Sequence, residues 1–388
     1  MVPMSGHRRL LAERVATPHG VIDNGVIEIR GTSLTSCEPF TGSAEPEPER
    51  VAGWVVPGFI DTHVHGGGGY DYATEDPQDA ISGRAFHAGH GTTTSFASLV
   101  TAPIDVLCRQ IATLAGLVAD GYFAGIHLEG PFLSAAERGA HDPAQLRPLD
   151  PAGVDSLLTA GRGALSMITI APELPGALAA ISRFTEAGVQ VAIGHTDADH
   201  DTVAAALDAG ASVATHLFNA MRAIHHREPG PIPVLLTDPR VSVELIVDGF
   251  HLHPEIVRMA VAAAGRERTV LVTDAMVAAG MPDGEFVLGG LQVDVRAGRA
   301  RLIEATGRPG SIAGSTLTMA EAFRLMTGIV GDVETVAAMA ATNAARQFGL
   351  SDVGRIAAGC RADLCVVDNA GVLQRVMHAG RWLDESPT

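Results

Sequence analysis

Six short runs in this chain carry imidazoles and carboxylates at spacings suited to holding a divalent cation. They are Asp61-Thr62-His63-Val64-His65-Gly66, His127-Leu128-Glu129-Gly130-Pro131, Gly194-His195-Thr196, Thr215-His216-Leu217-Phe218-Asn219-Ala220-Met221, Asp248-Gly249-Phe250-His251-Leu252-His253-Pro254 and Thr273-Asp274-Ala275. Alternation along an extended strand places His63 and His65 on one side. Imidazole nitrogens and a carboxylate suit a first-row ion such as zinc, iron, manganese or cobalt. Such an ion lowers the pKa of its bound water toward ~7 and supplies hydroxide for attack on a carbonyl. The attack needs a proton acceptor and a leaving amine needs a donor; one carboxylate, Asp274, can serve both in turn.

Each run follows an apolar stretch of strand length. These stretches are Trp54 to Ile60, Thr92 to Val100, Gly125 to Leu128, Ser166 to Ile170, Val189 to Gly194, Ala211 to Leu217, Val241 to Val247 and Thr269 to Val272. Between them lie helix-like segments such as Ile104–Val118, Ala177–Glu186, Val203–Ala209 and Pro254–Ala264. Strands alternating with helices predict a parallel sheet, and eight repeats predict an α/β fold of the (β/α)8 barrel type. In a barrel all strand C-termini open on one face, so residues distant in sequence converge there. Beyond the eighth strand, Glu285–Leu302 reads as strands turning at Gly289-Gly290 and Ala297-Gly298, followed by helices at Leu317–Ile329 and Val333–Phe348. Both chain ends have β texture. Residues 1–53 and 350–388 are expected to form a small β-sandwich domain, and residues 54–349 the barrel. Within the first part, Asn24-Gly25 between two apolar runs predicts a hairpin, and Glu45-Pro46-Glu47-Pro48-Glu49 a solvated loop.

The chain has 388 residues, 46% hydrophobic and 18% charged, enough for a sizeable core. A net charge of −17 argues against nucleic acid as a partner. No run of ~18 apolar residues exists to span a membrane. Met1 to Arg14 lacks the apolar core of a signal peptide, so a cytoplasmic location is expected. Every one of the 27 basic residues is arginine, which removes Schiff-base chemistry and any metal pair bridged by a modified lysine. The four cysteines, Cys37, Cys108, Cys360 and Cys365, form no Cys-x-x-Cys pair and read as reduced thiols.

From about residue 53 to 368 the sequence resembles the amidohydrolase superfamily, and within it the N-acetylglucosamine-6-phosphate deacetylase family. The resemblance rests on Pro57 to Gly66, His127 to Phe132, Gly139-Ala140-His141, Gly194-His195-Thr196, His216 to Met221, Arg227 to Gly230, Asp248 to His251, Val272 to Ala275 and Ala313-Gly314-Ser315. The His-x-His pair is shared widely in the superfamily; His-Leu-Glu-Gly-Pro and His-Leu-Phe-Asn-Ala-Met are far more specific. The resemblance implies that Glu129, His195 and His216 hold the principal metal, zinc by expectation. His63 and His65 would contribute a second site, with Glu129 as the bridging ligand, giving one or two ions per subunit. Asp274 would be general base and then acid, and His141 would stabilise the oxyanion of the acetyl carbonyl. Ala140, Asn219, Ala220, His226, Arg227, His251 and the backbone of Ile312, Ala313 and Gly314 would bind the phosphorylated N-acetyl amino sugar. The loop of His226 and Arg227 would reach a neighbouring subunit's site, implying a homodimer with a shared active site. Arg138 departs from the lysine often found before this Gly-x-His motif.

Three rivals stay open. One is a deacetylase for the galacto epimer, N-acetylgalactosamine 6-phosphate, which differs by one hydroxyl. Another is a D-aminoacylase, which has no need for the Arg227/His251 pair. The third is a barrel-shaped assembly protein without catalysis, which would be marked by missing metal ligands.

Overall fold

The computed structural model describes residues 6–42, 47–304 and 309–385. Eight strands follow one another in a parallel sheet: Phe59–Asp61, Thr92–Val100, Gly125–Glu129, Leu165–Ile170, Gln190–Ile193, Ala211–Ala214, Ser242–Ile246 and Thr269–Val272. Every residue of Thr92–Val100 is buried, as expected where a parallel sheet is covered on both faces. The first and last strands meet just past their ends, where Val64 and Ala275 form a parallel bridge. This nearly closes a (β/α)8 barrel.

Helices pack by apolar stripes. Ile104–Ala119 buries Leu107, Ile111, Leu114 and Leu117, the spacing of one helical face. Some helices start on proline and are capped by a side chain just ahead of it: for example, the Asp150 carboxylate accepts from Gly153 N–H ahead of Pro151–Gly161, and His253 Nδ1 accepts from Glu255 N–H ahead of Pro254–Ala264. After the eighth strand comes a four-stranded antiparallel sheet: Gly284–Leu288, Leu291–Arg296, Arg299–Ile303 and Pro309–Ile312. Its apolar side gathers Met276, Leu288, Val293, Val295, Ala300 and Ala313.

By internal contact the chain divides into two compact units. One comprises Met1–Asp61, His87–Thr94 and Met319–Thr388; the other comprises Thr62–Phe86 and Ser95–Thr318. The first holds a seven-stranded sheet built from both parts of the sequence, in the order Arg381–Trp382, Leu373–His378, Leu364–Val367, Glu49–Pro57, His7–Thr17, Gly20–Arg30, Ser33–Pro39. Leu10, Val15, Ile27, Ile29, Val55, Leu364, Met377 and Trp382 form its core.

Two expectations fail locally. The Asn24-Gly25 hairpin does not form: Gly20–Arg30 is one strand, paired with His7–Thr17 from Thr17↔Gly20 to His7↔Arg30. Asn24 takes φ 49° as a single left-handed residue at a break in the pairing, and the chain continues straight because the runs on either side pair with the same neighbour. The apolar stretch Trp54 to Ile60 is not one strand. The Gly58 N–H bonds to Asp363 O and the Phe59 N–H to Gly91 O, so successive amides serve different neighbours and the chain passes from one sheet to the other. Gly58 allows the turn, since a Cβ there would lie 2.3 Å from Thr93 Oγ1. Of the loop at 45–49, Glu45 and Pro46 lie outside the described residues, while Glu49 opens a strand.

Candidate metal centre and cavity

The strand ends deliver their polar residues through strained backbone. His195, His216, Phe218, Ala220 and Asp274 all have positive φ, five of the nine non-glycine residues that do among the described residues. Each such residue costs about 1 kcal/mol or more, and such strain gathers where the surroundings over-determine a conformation. The closure of the barrel is built from the same residues: Asp274 N–H donates to His63 O at 2.8 Å and His65 N–H to Ala275 O at 2.8 Å.

Five imidazoles surround one carboxylate, four of them in two close pairs. Glu129 Oε1 lies 3.0 Å from both His195 Nε2 and His216 Nε2, which stand 3.1 Å apart. Glu129 Oε2 lies 3.2 Å from His65 Nε2 and 3.6 Å from His63 Nε2, themselves 3.2 Å apart. Asp274 Oδ1 completes this second group at 3.1 Å from His65 and 3.5 Å from His63. All are buried.

The tautomers follow from what the opposite ring nitrogens touch. His195 Nδ1 faces Glu137 O at 2.9 Å, His65 Nδ1 faces Ser98 O at 3.3 Å, and His63 Nδ1 faces Glu244 Oε2 at 3.3 Å. Carbonyls and carboxylates only accept, so these Nδ1 atoms carry the protons and the Nε2 lone pairs point inward. Pairs of bare nitrogens near 3 Å repel unless something positive lies between them. Spacings of 3.0–3.2 Å are close to the edge of ~3.3 Å set by four ligands at ~2.05 Å around a tetrahedral ion. The donor set therefore fits a divalent cation.

Without a cation, the two carboxylates draw protons onto the His63 and His65 rings, the same positive charge that a bound cation would supply in their place. Burial alone would depress His63 and His65, but Glu129 and Asp274 outweigh it, raising His63 well above the ordinary value and His65 to about 9. Burial alone would raise Glu129 and Asp274. The surrounding imidazoles, His63 foremost, instead hold Glu129 well below the carboxylate range and Asp274 also below it. Burial and the neighbouring His195 push His141 down to about 4, so its ring is neutral at pH 7.

A cavity of about 430 Å³ opens over this centre. Of the sequence-derived residues, His65, Glu129, Ala140, His141, His195, His216, Asn219, Ala220, His251, Asp274, Ile312 and Gly314 line it. His141 Nε2 lies 3.6 Å from Glu129 Oε2, with its ring edge-on to His195. His251 Nδ1 pairs with Asp248 at 2.7 Å. His63 sits beneath, fully buried, and Ala313 is also buried, its N–H bonded to Ala300 O. His226 and Arg227 are exposed and do not line the cavity; they touch each other at 2.7 Å. Gly139, at φ 55°, brings the loop against both the metal centre and the Ala220 turn: a Cβ there would lie 3.1 Å from His195 and 3.6 Å from Ala220.

Sequence reasoning missed Glu244, a carboxylate with no exposure inside the barrel, although a charge within the apolar run Ser-Val-Glu-Leu-Ile was a visible signal. It also gave no role to His127. That ring joins Ser98 Oγ at 3.0 Å to Thr169 Oγ1 at 2.9 Å, and Thr169 continues to Thr215. Burial and His63 keep His127 well below its ordinary pKa.

A model of the family described as "Amidohydrolase family" matches residues 54–383. The chain is 36% identical over 379 residues to an N-acetylgalactosamine-6-phosphate deacetylase of Escherichia coli O157:H7, covering 96% of this chain and 98% of that one. It is 36% identical over 337 residues to an N-acetylglucosamine-6-phosphate deacetylase of Lysinibacillus sphaericus, covering 84% and 85%. Among solved structures, it is similar to a mutant N-acetyl-D-glucosamine-6-phosphate deacetylase of Mycobacterium smegmatis in complex with N-acetyl-D-glucosamine 6-phosphate. There the identity is 44%, the TM-score 0.93, and the coverage 97% of this chain and 99% of that one.

Proposed function

The chain belongs to the amidohydrolase family, and we propose that it hydrolyses the acetamide of N-acetylglucosamine 6-phosphate to glucosamine 6-phosphate and acetate. The observation that carries this reading is the single carboxylate of Glu129, which faces one imidazole pair with each oxygen beside Asp274 on the cavity floor. The similarity to deacetylases of amino-sugar phosphates over nearly the whole chain supports the substrate class.

Glu129, His195 and His216 would hold one divalent cation, and His63 and His65, with Glu129 between, a second. A cation there activates water and polarises the acetyl carbonyl. Asp274, ionised at neutral pH, takes the proton from the attacking water and returns it to the amide nitrogen, so that the C–N bond breaks and the amine leaves. His141, neutral and beside Glu129, donates its N–H to the developing oxyanion. Asn219, the Ala220 turn and His251 orient the sugar phosphate, with Ala140, Ile312 and Gly314 along its flank.

The exposure of His226 and Arg227 supports a homodimer in which this loop serves the neighbouring copy's cavity, where the guanidinium fork matches phosphate. Zinc is the cation of this reading. The cytoplasm is its location, because a doubly charged sugar phosphate does not cross a bilayer unaided. Among the described residues no helix is long and apolar enough to cross a membrane.

The test is acetate release by metal-reconstituted protein from N-acetylglucosamine 6-phosphate, with unphosphorylated N-acetylglucosamine in parallel. Release from the phosphorylated sugar alone supports reaction and phosphate recognition together; release from neither, with metal bound, sinks the substrate assignment. The full-length similarity to the Escherichia coli deacetylase favours a second reading, the galacto epimer. The same assay on N-acetylgalactosamine 6-phosphate decides between them by the ratio of kcat/KM.

A further inference from the structure

We propose that Glu244 is a positioning residue for His63, and through it sets how tightly the cation held by His63 and His65 is bound. The inference rests on the reading of His63 as a ligand. Glu244 is the third residue of the seventh barrel strand, Ser242–Ile246, and has no solvent exposure. A carboxylate buried between Val243 and Leu245 costs several kcal/mol unless its oxygens are bonded. Both are: Oε1 accepts from Thr62 Oγ1 at 3.1 Å, and Oε2 faces His63 Nδ1 at 3.3 Å. Two consecutive residues of the first-strand loop are thus gripped by one side chain of the seventh strand.

The consequence for His63 is geometric. An Nδ1 proton pointing at Glu244 fixes the ring plane and leaves the Nε2 lone pair aimed at the space shared with His65, Glu129 and Asp274. A carboxylate behind a ligating imidazole also makes it a better donor. His65 and His195 are steadied instead by backbone carbonyls, of Ser98 and Glu137, which no substitution removes. His63 leans on a side chain, so this ligand can be loosened without touching any ligand.

The experiment measures ions per chain by elemental analysis and their affinity by competition with a chelator. It compares wild type, Glu244→Leu, Glu244→Gln, His63→Ala and the double variant His63→Ala/Glu244→Leu, with circular dichroism as the check on folding. Glu244→Leu is expected to weaken one ion ~10–100-fold, and Glu244→Gln, which keeps the shape and one acceptor, to weaken it less. The double variant should bind no worse than His63→Ala alone. Wild-type affinity in both Glu244 variants overturns the proposal, and so does a further loss in the double variant, which would mean that Glu244 acts elsewhere. If Glu244→Leu does not fold, Glu244→Gln decides by the same comparison. Unchanged metal content in His63→Ala would instead remove His63 as a ligand, a failure of the underlying reading that this arm alone reports.

Discussion

Asp274 meets His63 twice: its backbone N–H bonds to the His63 carbonyl at 2.8 Å, and its carboxylate Oδ1 stands 3.5 Å from His63 Nε2. The residue assigned to proton transfer therefore also closes the barrel between its first and last strands. Its backbone contact survives a change of side chain, so Asp274→Asn separates the two roles. Turnover should fall ~10²–10⁴-fold, while the protein keeps its melting temperature and the ion held by Glu129, His195 and His216. Full activity in this variant, measured by acetate release, sinks the mechanism.

Arg227 lies on an exposed loop outside the cavity of its own chain. Arg227→Ala should raise KM for the phosphorylated sugar at least ~10-fold, as expected for loss of a charge-assisted pair, and leave the unphosphorylated sugar nearly unaffected. At substrate well below KM, where each parent variant alone is weak, mixing Arg227→Ala with Asp274→Asn subunits should restore activity. In a symmetric dimer with random exchange, half the dimers carry one intact site, giving about a quarter of the wild-type rate. No recovery on mixing would place Arg227 in its own chain's site or in none.

His141 is held neutral, pushed down to about 4 chiefly by burial and then by His195. A neutral ring has an N–H to give without adding charge beside the imidazole cluster. His141→Ala should lower kcat ~10²–10³-fold, the loss typical of one oxyanion donor, with KM and metal content little changed. A variant that loses metal in step with activity would assign His141 to ion binding instead.

Asp363 offers a pH test away from the metal centre. Burial would raise its pKa, but His378 and Arg361 outweigh that and hold it below the usual range. Its Oδ1 also accepts from Ala379 N–H at 2.8 Å, and Oδ2 takes the Arg361 guanidinium. Because the folded pKa is the lower one, the stabilisation is present above the unfolded value of ~3.9 and is lost as pH falls through the folded value. Asp363→Asn should therefore cost about 2 kcal/mol at pH 7, a gap that closes below about pH 4. Urea midpoints of the two proteins across pH 3–7 read this directly; a gap independent of pH would show that the charge is not what stabilises.

The barrel was legible because most of the parallel strands are short apolar runs and several candidate residues stand at or just after their ends, as with Thr269–Val272 and Asp274. His63, His65, Glu129, His195 and His216 stood out for the same reason. Glu244 did not, because it lies within a strand, where one charge reads as noise against four neighbours that fit the pattern. Its partners, Thr62 and His63, are about 180 residues away in sequence, and no local spacing reports such a pairing. Asn24-Gly25 misled in the opposite sense: the dipeptide permits a tight turn, but pairing with His7–Thr17 on both sides of it determines the outcome. The break at Gly58 was hidden because Trp54 to Ile60 is apolar throughout, while two different sheets compete for its amides.

The seven-stranded sheet carries a cost in time. Strand Glu49–Pro57 pairs on one side with Leu364–Val367, and the Trp54 indole N–H reaches Asn369 Oδ1 across 315 residues of sequence. A ribosome adding ~5–20 residues per second needs roughly 15–60 s to supply that partner. The meander from His7 to Pro39 can form early, but the strand bearing Val51, Trp54 and Val55 must wait with one edge unpaired while the whole barrel is made. Such an edge is an invitation to self-association. A nascent chain stalled before residue 364 should therefore be drawn to chaperones, and co-expression of these should raise the yield of the native protein more than slower induction does.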